Sequence, residues 1–172
     1  ANNTSNLTKS FWAWDEMLTM NKVGFFPYTP ATQMLQGLAV SIEMLHEEGL
    51  DNVFARHDRL AEATRRAIKT WGLDTICRDP KYYSPTITAV LLPEGHDADA
   101  FRALALEQFN ISYGSSFGRF TGKMFRIGHL GDINDAMMLG GLAATEMALA
   151  LANIPHKKGG VQAAMDYLVS AH

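Results

Sequence analysis

The apolar run at residues 86–93, TITAVLLP, constrains the fold of this chain more than any other stretch of its sequence. A nearly continuous apolar run of this kind is typical of a strand that lies inside a sheet rather than at its edge. We therefore predict a central, buried strand here. The rest of the chain has to supply the neighbouring strands and the helices that cover them.

Helical and strand-like segments alternate around this run. Apolar residues at helical spacing predict the helices, and Asp51, Asp97 and Asp132 are the expected caps of three of them. The order of the elements predicts an α+β fold, a short, mostly antiparallel sheet with helices packed on one face. The predicted helices cover residues 31–49, 51–71, 98–109, 133–153 and the stretch after Gly160, and the predicted strands cover 73–79, 86–93, 110–116 and 123–130.

The chain divides into an irregular N-terminal segment and one folded domain. Residues 1–30 are polar at first and then rich in aromatic residues, proline and glycine. With no initiator methionine, they are expected to continue from a domain further upstream. Residues 31–172 are predicted to form the α+β domain. Its first helix, at about 31–49, is apolar around much of its circumference, which is typical of an interface helix or of a helix buried within one chain.

Composition excludes several classes of function. A formal net charge of -3, with 19% charged residues, argues against a general nucleic-acid surface. Cys77 is the one cysteine, so a disulfide framework is excluded and a reducing, cytoplasmic compartment is expected. No apolar run approaches the roughly 18 residues of a membrane-spanning helix. Neither nucleic acid nor a membrane is therefore an expected partner.

The loop at 112–122 offers two known motifs, and its context argues against both. Residues 114–118, GSSFG, match the turn that exposes a nucleophilic serine between a strand and a helix. Ser116, however, is followed by a second loop and a strand. A phosphate loop would need glycine in place of Phe117 and a hydroxyl residue in place of Met124. A serine hydrolase using Ser116 is kept only as a minor alternative.

The histidines predict no metal site. There are six of them, scattered along the chain without an H-E-x-x-H motif or a cysteine pair. His57 is expected on a solvated helix face. His46 and His129 are expected to be surface residues or hydrogen-bonded core residues.

Arg126 is the strongest candidate for binding a ligand. Alternation along MFRIG places Phe125 and Ile127 on one face of the strand, and Arg126 with Gly128 on the other. If the two apolar residues face the core, Arg126 faces solvent or a cleft. A guanidinium binds a carboxylate through two parallel hydrogen bonds, which lysine cannot copy. Arg126 is thus interpreted either as a carboxylate-binding residue or as an arginine paired with an acid of its own domain.

The stretch PYTPAT is the second candidate. Pro27 and Pro30 stiffen the backbone around Tyr28 and Thr29, just before the predicted helix at 31–49. Two hydroxyl groups held at a helix N-terminus suit an anion such as phosphate. The alternative is that Thr29 is simply a helix cap.

Three stretches together resemble a known family. FPYTPATQMLQGL, EEGLDNVFARHDRLAEATRRA and GKMFRIGHLGDINDAMMLGGLAATEMAL are similar to the C-terminal half of class V pyridoxal-phosphate-dependent aminotransferases. The resemblance covers nearly the whole chain and is nearest to the members that use serine and glyoxylate. It implies a fold-type I enzyme, in which this chain would be the C-terminal small domain of each subunit of a homodimer.

The resemblance also implies a reaction and its residues. An amino group would move from an amino acid, serine first, to glyoxylate, with pyridoxal 5'-phosphate as cofactor. Alanine or aspartate as donor, or a non-enzymatic binding or assembly role, are the alternatives. Arg126 would bind the substrate's α-carboxylate, and Thr29, with Tyr28, the cofactor phosphate of the neighbouring subunit. The Schiff-base lysine is expected upstream of Ala1, so no catalytic residue is predicted here and Lys123 is not that lysine.

The loop before Arg126 departs from the family pattern. Relatives typically have GTGLG where this chain has GSSFG, so Ser116 replaces a glycine and Phe117 replaces a leucine. If this loop borders the substrate, the preferred donor and acceptor differ from those of the relatives.

Overall fold

The computed structural model describes residues 4–9 and 12–171. They form two compact units, the first ending at Glu48 and the second beginning at Gly49. The sequence predicted a boundary at residue 30, whereas the structure assigns the helix that follows, none of whose residues is buried, to the first unit. Residues 1–3, 10 and 11 of the predicted irregular segment lie outside the described residues.

The first unit holds two helices, α1 (Trp14–Asn21) and α2 (Thr32–Glu48), and neither has a buried residue. Helix α1 was not predicted, because its eight residues are too short a stretch for apolar spacing to reveal a helix. Helix α2 matches the helix predicted at 31–49. Its exposed apolar side chains run along its whole length, and they are Met34, Leu35, Leu38, Val40, Ile42, Met44 and Leu45.

The second unit is built on a three-stranded antiparallel sheet. Its strands are, in spatial order, β1 (Asp74–Thr75), β2 (Ile87–Leu91) and β3 (Met124–Gly128). Strand β2 is central, as its apolar run predicted, but it is buried on one face only: Val90 is buried, whereas Ile87 is exposed. Ala89 of β2 stands opposite Arg126 of β3.

Four helices, α3 (Leu50–Trp71), α4 (Ala98–Phe109), α5 (Asp135–Leu151) and α6 (Gly160–Ser170), complete the second unit. Their apolar faces and the inner face of the sheet form one core, and removal of this area from water is the main stabilising contribution. The α+β fold is therefore confirmed. The largest fully buried apolar side chains are Trp71, Phe101, Phe125, Leu60, Ile68, Leu142, Leu149 and Leu168.

Two of the three predicted helix caps were wrong. Asp97 caps α4 as expected. Helix α3 begins directly after Gly49, which leaves Asp51 inside its first turn. Helix α5 begins after Asn134, whose side-chain oxygen accepts a backbone N–H of the first turn, so Asp132 lies outside the cap.

Of the predicted strands, the one at 73–79 is shorter than expected and the one at 110–116 is absent. Strand β1 ends at Thr75, because its hydroxyl donates to the Cys77 carbonyl at 2.7 Å and the chain turns there. Residues 110–116 form no strand, since the loop folds back on itself after one position. That position is Gly114, which forms an isolated bridge with Arg126.

One carboxylate joins α3, α5 and the start of α6. Glu146 accepts hydrogen bonds from Trp71 Nε1 at 2.7 Å and from the backbone N–H groups of Gly159 at 2.9 Å and Val161 at 3.1 Å. Burial raises the pKa of Glu146, but these hydrogen bonds outweigh it and leave the pKa below its ordinary value. Gly160 lies so close to Trp71 that a Cβ there would overlap the indole ring.

We expect Glu146→Gln to lower the free energy of unfolding by about 1–3 kcal/mol, because an amide oxygen is a weaker acceptor for three donors. The pKa of Glu146 is lowered by folding, so its contribution is complete above the ordinary carboxyl pKa and is lost as pH falls through the folded value. The deficit of the variant should therefore shrink in acid. Urea denaturation at neutral and acidic pH measures this.

The matched control is Glu107→Gln, at an exposed position of α4. It should leave the free energy of unfolding nearly unchanged. Equal losses in the two variants would contradict the role assigned to Glu146.

Candidate functional site

Strand β3 places Arg126 on the face of the sheet that points away from the core. Its neighbours Phe125 and Ile127 have exposed fractions of 0% and 5%, so they define the inner face. Alternation along the strand then puts Arg126 on the outer face, beside Ala89, where it is half-buried. The predicted orientation of Arg126 is confirmed.

Arg126 contacts the loop that precedes its strand. The backbones of Gly114 and Arg126 exchange two N–H···O hydrogen bonds of 3.0 Å each. The guanidinium carbon lies 5.1 Å from the centre of the Phe117 ring, within the range of a cation–π contact. Neither contact was predicted, because both depend on how the loop folds back along β3.

Arg126 has no acidic partner within residues 4–9 and 12–171. The ion pairs in this part of the chain use Arg59, Arg65, Arg66 and Arg102. The alternative interpretation, an ion pair within its own domain, is thus not observed among the described residues. Partial burial of an unpaired cation is unfavourable, and a carboxylate is the kind of group that would complement this charge.

A cavity of about 230 Å³ lies beside Arg126, with walls from β2, from the segment between β1 and β2, and from Arg65 of α3. Arg65 is already engaged: its Nε lies 3.3 Å from a Glu62 oxygen, and its guanidinium carbon lies 4.9 Å from the centre of the Tyr83 ring. Among the described residues that line this cavity, Arg126 is therefore the cation that a ligand can use.

A larger, more open cleft of about 940 Å³ lies along α3 and α6 and carries both signs of charge. Arg66 in this cleft pairs with Glu62 at 2.9 Å, and its guanidinium carbon lies 4.1 Å from the centre of the Tyr167 ring. Lys69 also lines this cleft, but it is exposed to solvent. Among the described residues the cleft therefore has no half-buried cation without a partner, whereas the smaller cavity has Arg126.

Ser116 has a structural role in the loop. Its side chain is buried, and its Oγ accepts the backbone N–H of Gly122 at 3.1 Å. A short 3₁₀ turn, Gly118–Phe120, and β3 follow it, so no helix begins after the serine and the nucleophile turn is not formed. Lys123 is exposed and does not line the cavity beside Arg126.

Two buried histidines hold the chain that follows β3. His129 Nδ1 lies 2.8 Å from the Pro85 carbonyl oxygen, and its Nε2 lies 2.9 Å from Thr88 Oγ1. His57 Nε2 accepts the backbone N–H of Gly131 at 3.1 Å. His129 is thus a hydrogen-bonded core residue, one of the two predicted outcomes. The prediction of a solvated His57 was wrong, because the loop after β3 covers its ring.

Metal-ligand clusters and membrane-spanning helices are both absent from residues 4–9 and 12–171. This part of the chain contains no group of three or more His, Cys, Asp or Glu side chains that could hold a metal ion. It also contains no helix that is both long and apolar enough to cross a membrane.

Thr29 and Tyr28 lie in the first unit, shortly before α2, and both side chains are exposed. Both residues precede the N-terminus of a 17-residue helix, whose dipole favours an anion. This arrangement fits a phosphate group. Arg126 belongs to the second unit, so the two candidate regions are described separately.

The chain is similar in sequence and in structure to several known proteins. No protein-family model matches the chain. Serine–glyoxylate aminotransferase of Hyphomicrobium methylovorum is 46% identical over 94% of this chain and 40% of its own length. L-aspartate–glyoxylate aminotransferase of Paracoccus denitrificans is 41% identical over 95% of this chain and 42% of its own length. The crystal structure of pyridoxamine–pyruvate aminotransferase from Mesorhizobium loti superposes with a TM-score of 0.80 at 31% identity, over 86% of this chain and 38% of that one.

The chain belongs to the class V pyridoxal-phosphate-dependent aminotransferases, and its fold is that of their C-terminal domain. Within that family it is similar to serine–glyoxylate aminotransferases at 41–46% identity. The chain spans about 40% of the length of these relatives.

The buried ring of His129 provides a test of the structure around β3. Burial lowers the pKa of His129 to about 4, and this outweighs the hydrogen bond to the Pro85 carbonyl, which favours the protonated form. The unfolded chain has the ordinary histidine pKa of about 6.5. Between these values the unfolded state binds the extra proton, so this group makes the fold less stable as pH falls from about 6.5 towards 4.

An NMR titration of the His129 ring in the folded chain should show a midpoint near 4. A midpoint at or above the ordinary value of about 6.5 would contradict the buried, neutral ring.

Proposed function

We propose that this chain is the C-terminal part of an aminotransferase that moves an amino group from an amino acid, serine first, to glyoxylate, giving glycine and an oxo acid. The observation that carries the proposal is the environment of Arg126. It is a half-buried guanidinium that borders a cavity and has no acidic partner among the described residues. The names of the serine–glyoxylate and aspartate–glyoxylate relatives support the choice of glyoxylate.

Arg126 binds and orients the carboxylate that every amino acid and oxo acid substrate carries. Two parallel N–H···O bonds fix both the position and the plane of that group. The cavity of about 230 Å³ has room for a small acid. Orientation of a small substrate contributes to the rate as well as to binding, since a misaligned substrate reacts slowly.

The cofactor of this family, pyridoxal 5'-phosphate, supplies the electron sink for the transfer of the amino group. In this chain Thr29, with Tyr28, would hold its phosphate at the start of α2. Among the described residues, no lysine lines the cavity beside Arg126. As the family resemblance implies, we place the Schiff-base lysine upstream of Ala1, and we assign no catalytic residue to the chain itself.

We further propose that the enzyme is a homodimer in the cytoplasm and that α2 lies at the subunit interface. The exposed apolar side chains of α2, among them Met34 at 76% and Leu38 at 54%, support this because they need cover in the complete protein. The neighbouring subunit would then contribute the cofactor phosphate that Thr29 binds. A single-subunit mass for the complete protein in sedimentation would contradict the dimer, and its recovery outside the cytoplasmic fraction would contradict the compartment.

The alternatives differ in what they transfer. Aspartate as donor is supported by the name of the Paracoccus relative, and alanine is the third candidate. A donor screen with serine, alanine and aspartate against glyoxylate distinguishes them, and no transfer from any donor would favour a non-enzymatic binding or assembly role. The structural role of Ser116 gives no support to a serine hydrolase.

We expect Arg126→Lys in the complete enzyme to raise KM for the amino acid and for the oxo acid about 10- to 150-fold, since a charge-assisted hydrogen-bonded pair contributes about 1.5–3 kcal/mol. Lysine keeps the charge but loses the fork that binds two oxygens. The cofactor absorbance should be unchanged. Steady-state kinetics with each substrate varied in turn measures the effect.

The matched control is Arg119→Lys, an exposed arginine of the same loop that has its own ring contact, with Phe120 at 4.9 Å. Its kinetics should equal those of the wild type. If KM were unchanged in Arg126→Lys as well, Arg126 would not be the carboxylate anchor.

A further inference from the structure

We propose that Gly114 and Phe117 are positioning residues that fix the direction of the Arg126 guanidinium, so that the substrate's carboxylate meets its two Nη nitrogens and not Nε. This inference rests on the proposed role of Arg126 as the carboxylate anchor. It assigns to the loop a part in substrate binding that does not come from direct contact with the substrate.

Gly114 leaves the space that the arginine side chain occupies. A Cβ built on Gly114 would lie 2.9 Å from Arg126 Nε, 3.1 Å from its Cβ and 3.3 Å from its Cζ. The first distance is shorter than van der Waals contact allows. The backbone of Gly114 does not have a positive φ, so glycine is not needed there for its conformation. The absent side chain is what matters, because any Cβ would push the guanidinium aside.

The burial of one side of the Arg126 guanidinium determines which of its nitrogens can bind a ligand. Nε of Arg126 is buried and has no hydrogen-bond partner in the described part of the chain. The two Nη nitrogens also have no hydrogen-bond partner in that part of the chain. Unlike Nε, they are accessible to solvent. A carboxylate therefore approaches the end of the guanidinium and not its side.

Phe117 covers one face of the same group. Its ring centre lies 5.1 Å from the guanidinium carbon, and the ring itself is 69% exposed. Burial in the core therefore does not explain the position of this side chain. The face of an aromatic ring attracts a guanidinium and restricts its rotation. Phe117 thus limits the directions in which the end of Arg126 can point.

Both substrates of the reaction present the same carboxylate to Arg126. A change that misdirects the guanidinium should therefore raise KM for the amino acid and for the oxo acid by the same factor. A change that only loosened the fold would lower the amount of active enzyme and leave both KM values unchanged.

The test is a set of variants of the complete enzyme. Gly114→Ala should raise KM for both substrates about tenfold or more, because displacement by about 1 Å strongly affects an oriented substrate. Phe117→Leu should raise both by about two- to fivefold, since an exposed cation–π contact contributes about 0.5–1 kcal/mol. Phe117→Tyr keeps an aromatic ring and should restore the wild-type KM values. The cofactor absorbance should be the same in all three.

Matched controls make the same changes away from Arg126. Gly140→Ala adds a Cβ on α5 where nothing lies within 4 Å. Phe120→Leu removes the ring that Arg119 contacts at 4.9 Å on the same loop. Neither should change KM for either substrate.

The outcomes separate this inference from the proposed function. In an Arg126→Lys background, Gly114→Ala should have no further effect on KM, because the fork it would misdirect is already absent. If Arg126→Lys raised KM while Gly114→Ala and Phe117→Leu did not, the positioning role would be wrong and the anchor would stand. If Arg126→Lys had no effect on KM, the proposed function itself would be wrong.

If Gly114→Ala does not fold, the comparison of Phe117→Leu with Phe117→Tyr decides. Equal KM values in these two variants would overturn the positioning role.

Discussion

The arrangement of the site depends on the burial of Phe125 in the core. Its ring lies 4.6 Å from Phe101 and 5.2 Å from Tyr113, measured between ring centres, and Tyr113 in turn hydrogen-bonds to Thr145 of α5 at 2.8 Å. Side chains along a strand alternate between its two faces, so the position of Phe125 fixes the face on which Arg126 lies. A shift of one residue in the pairing of β3 with β2 would bury the arginine and expose the phenylalanine.

Both ends of β3 are held by contacts that do not belong to the sheet. Before the strand, the loop returns to Arg126 through the backbone bridge at Gly114. After the strand, His129 is bonded to Pro85 and Thr88, and α3 holds the next residues through His57 and Gly131. These contacts use backbone groups, a hydroxyl and imidazole rings, so they leave Arg126 as a charge without an acidic partner among the described residues. A rigid frame around one unpaired cation is what binding of a small acid requires.

Much of this could be predicted from the sequence, and the exceptions have physical reasons. The central strand followed from its continuous apolar run, and the outward orientation of Arg126 and most of the helices followed from the spacing of apolar residues. Helix α1 has only eight residues, too few for such spacing to be recognised. Residues 110–116 were predicted as a strand, but they pair with β3 at Gly114 alone, and a hydrogen bond from Gly122 to Ser116 closes the loop that follows.

The contacts of Gly114 and Phe117 with Arg126 could not be predicted from sequence periodicity. They join two segments of the chain, and the path of the loop before β3 decides where these residues meet. The burial of His57 was missed for a similar reason, since the residues that cover it lie far away along the chain. Assigning Arg126, Thr29 and Tyr28 to specific ligand groups needed the family resemblance. Spacing alone left both a carboxylate ligand and an ion pair open for Arg126.

A crystal structure of the complete protein with its cofactor and a bound amino acid or oxo acid would show whether Arg126 is the anchor for the substrate's carboxylate. We expect both carboxylate oxygens at about 2.7–3.2 Å from the two Nη nitrogens of Arg126. A carboxylate bound elsewhere, with Arg126 paired to an acidic side chain from another part of the protein, would contradict it.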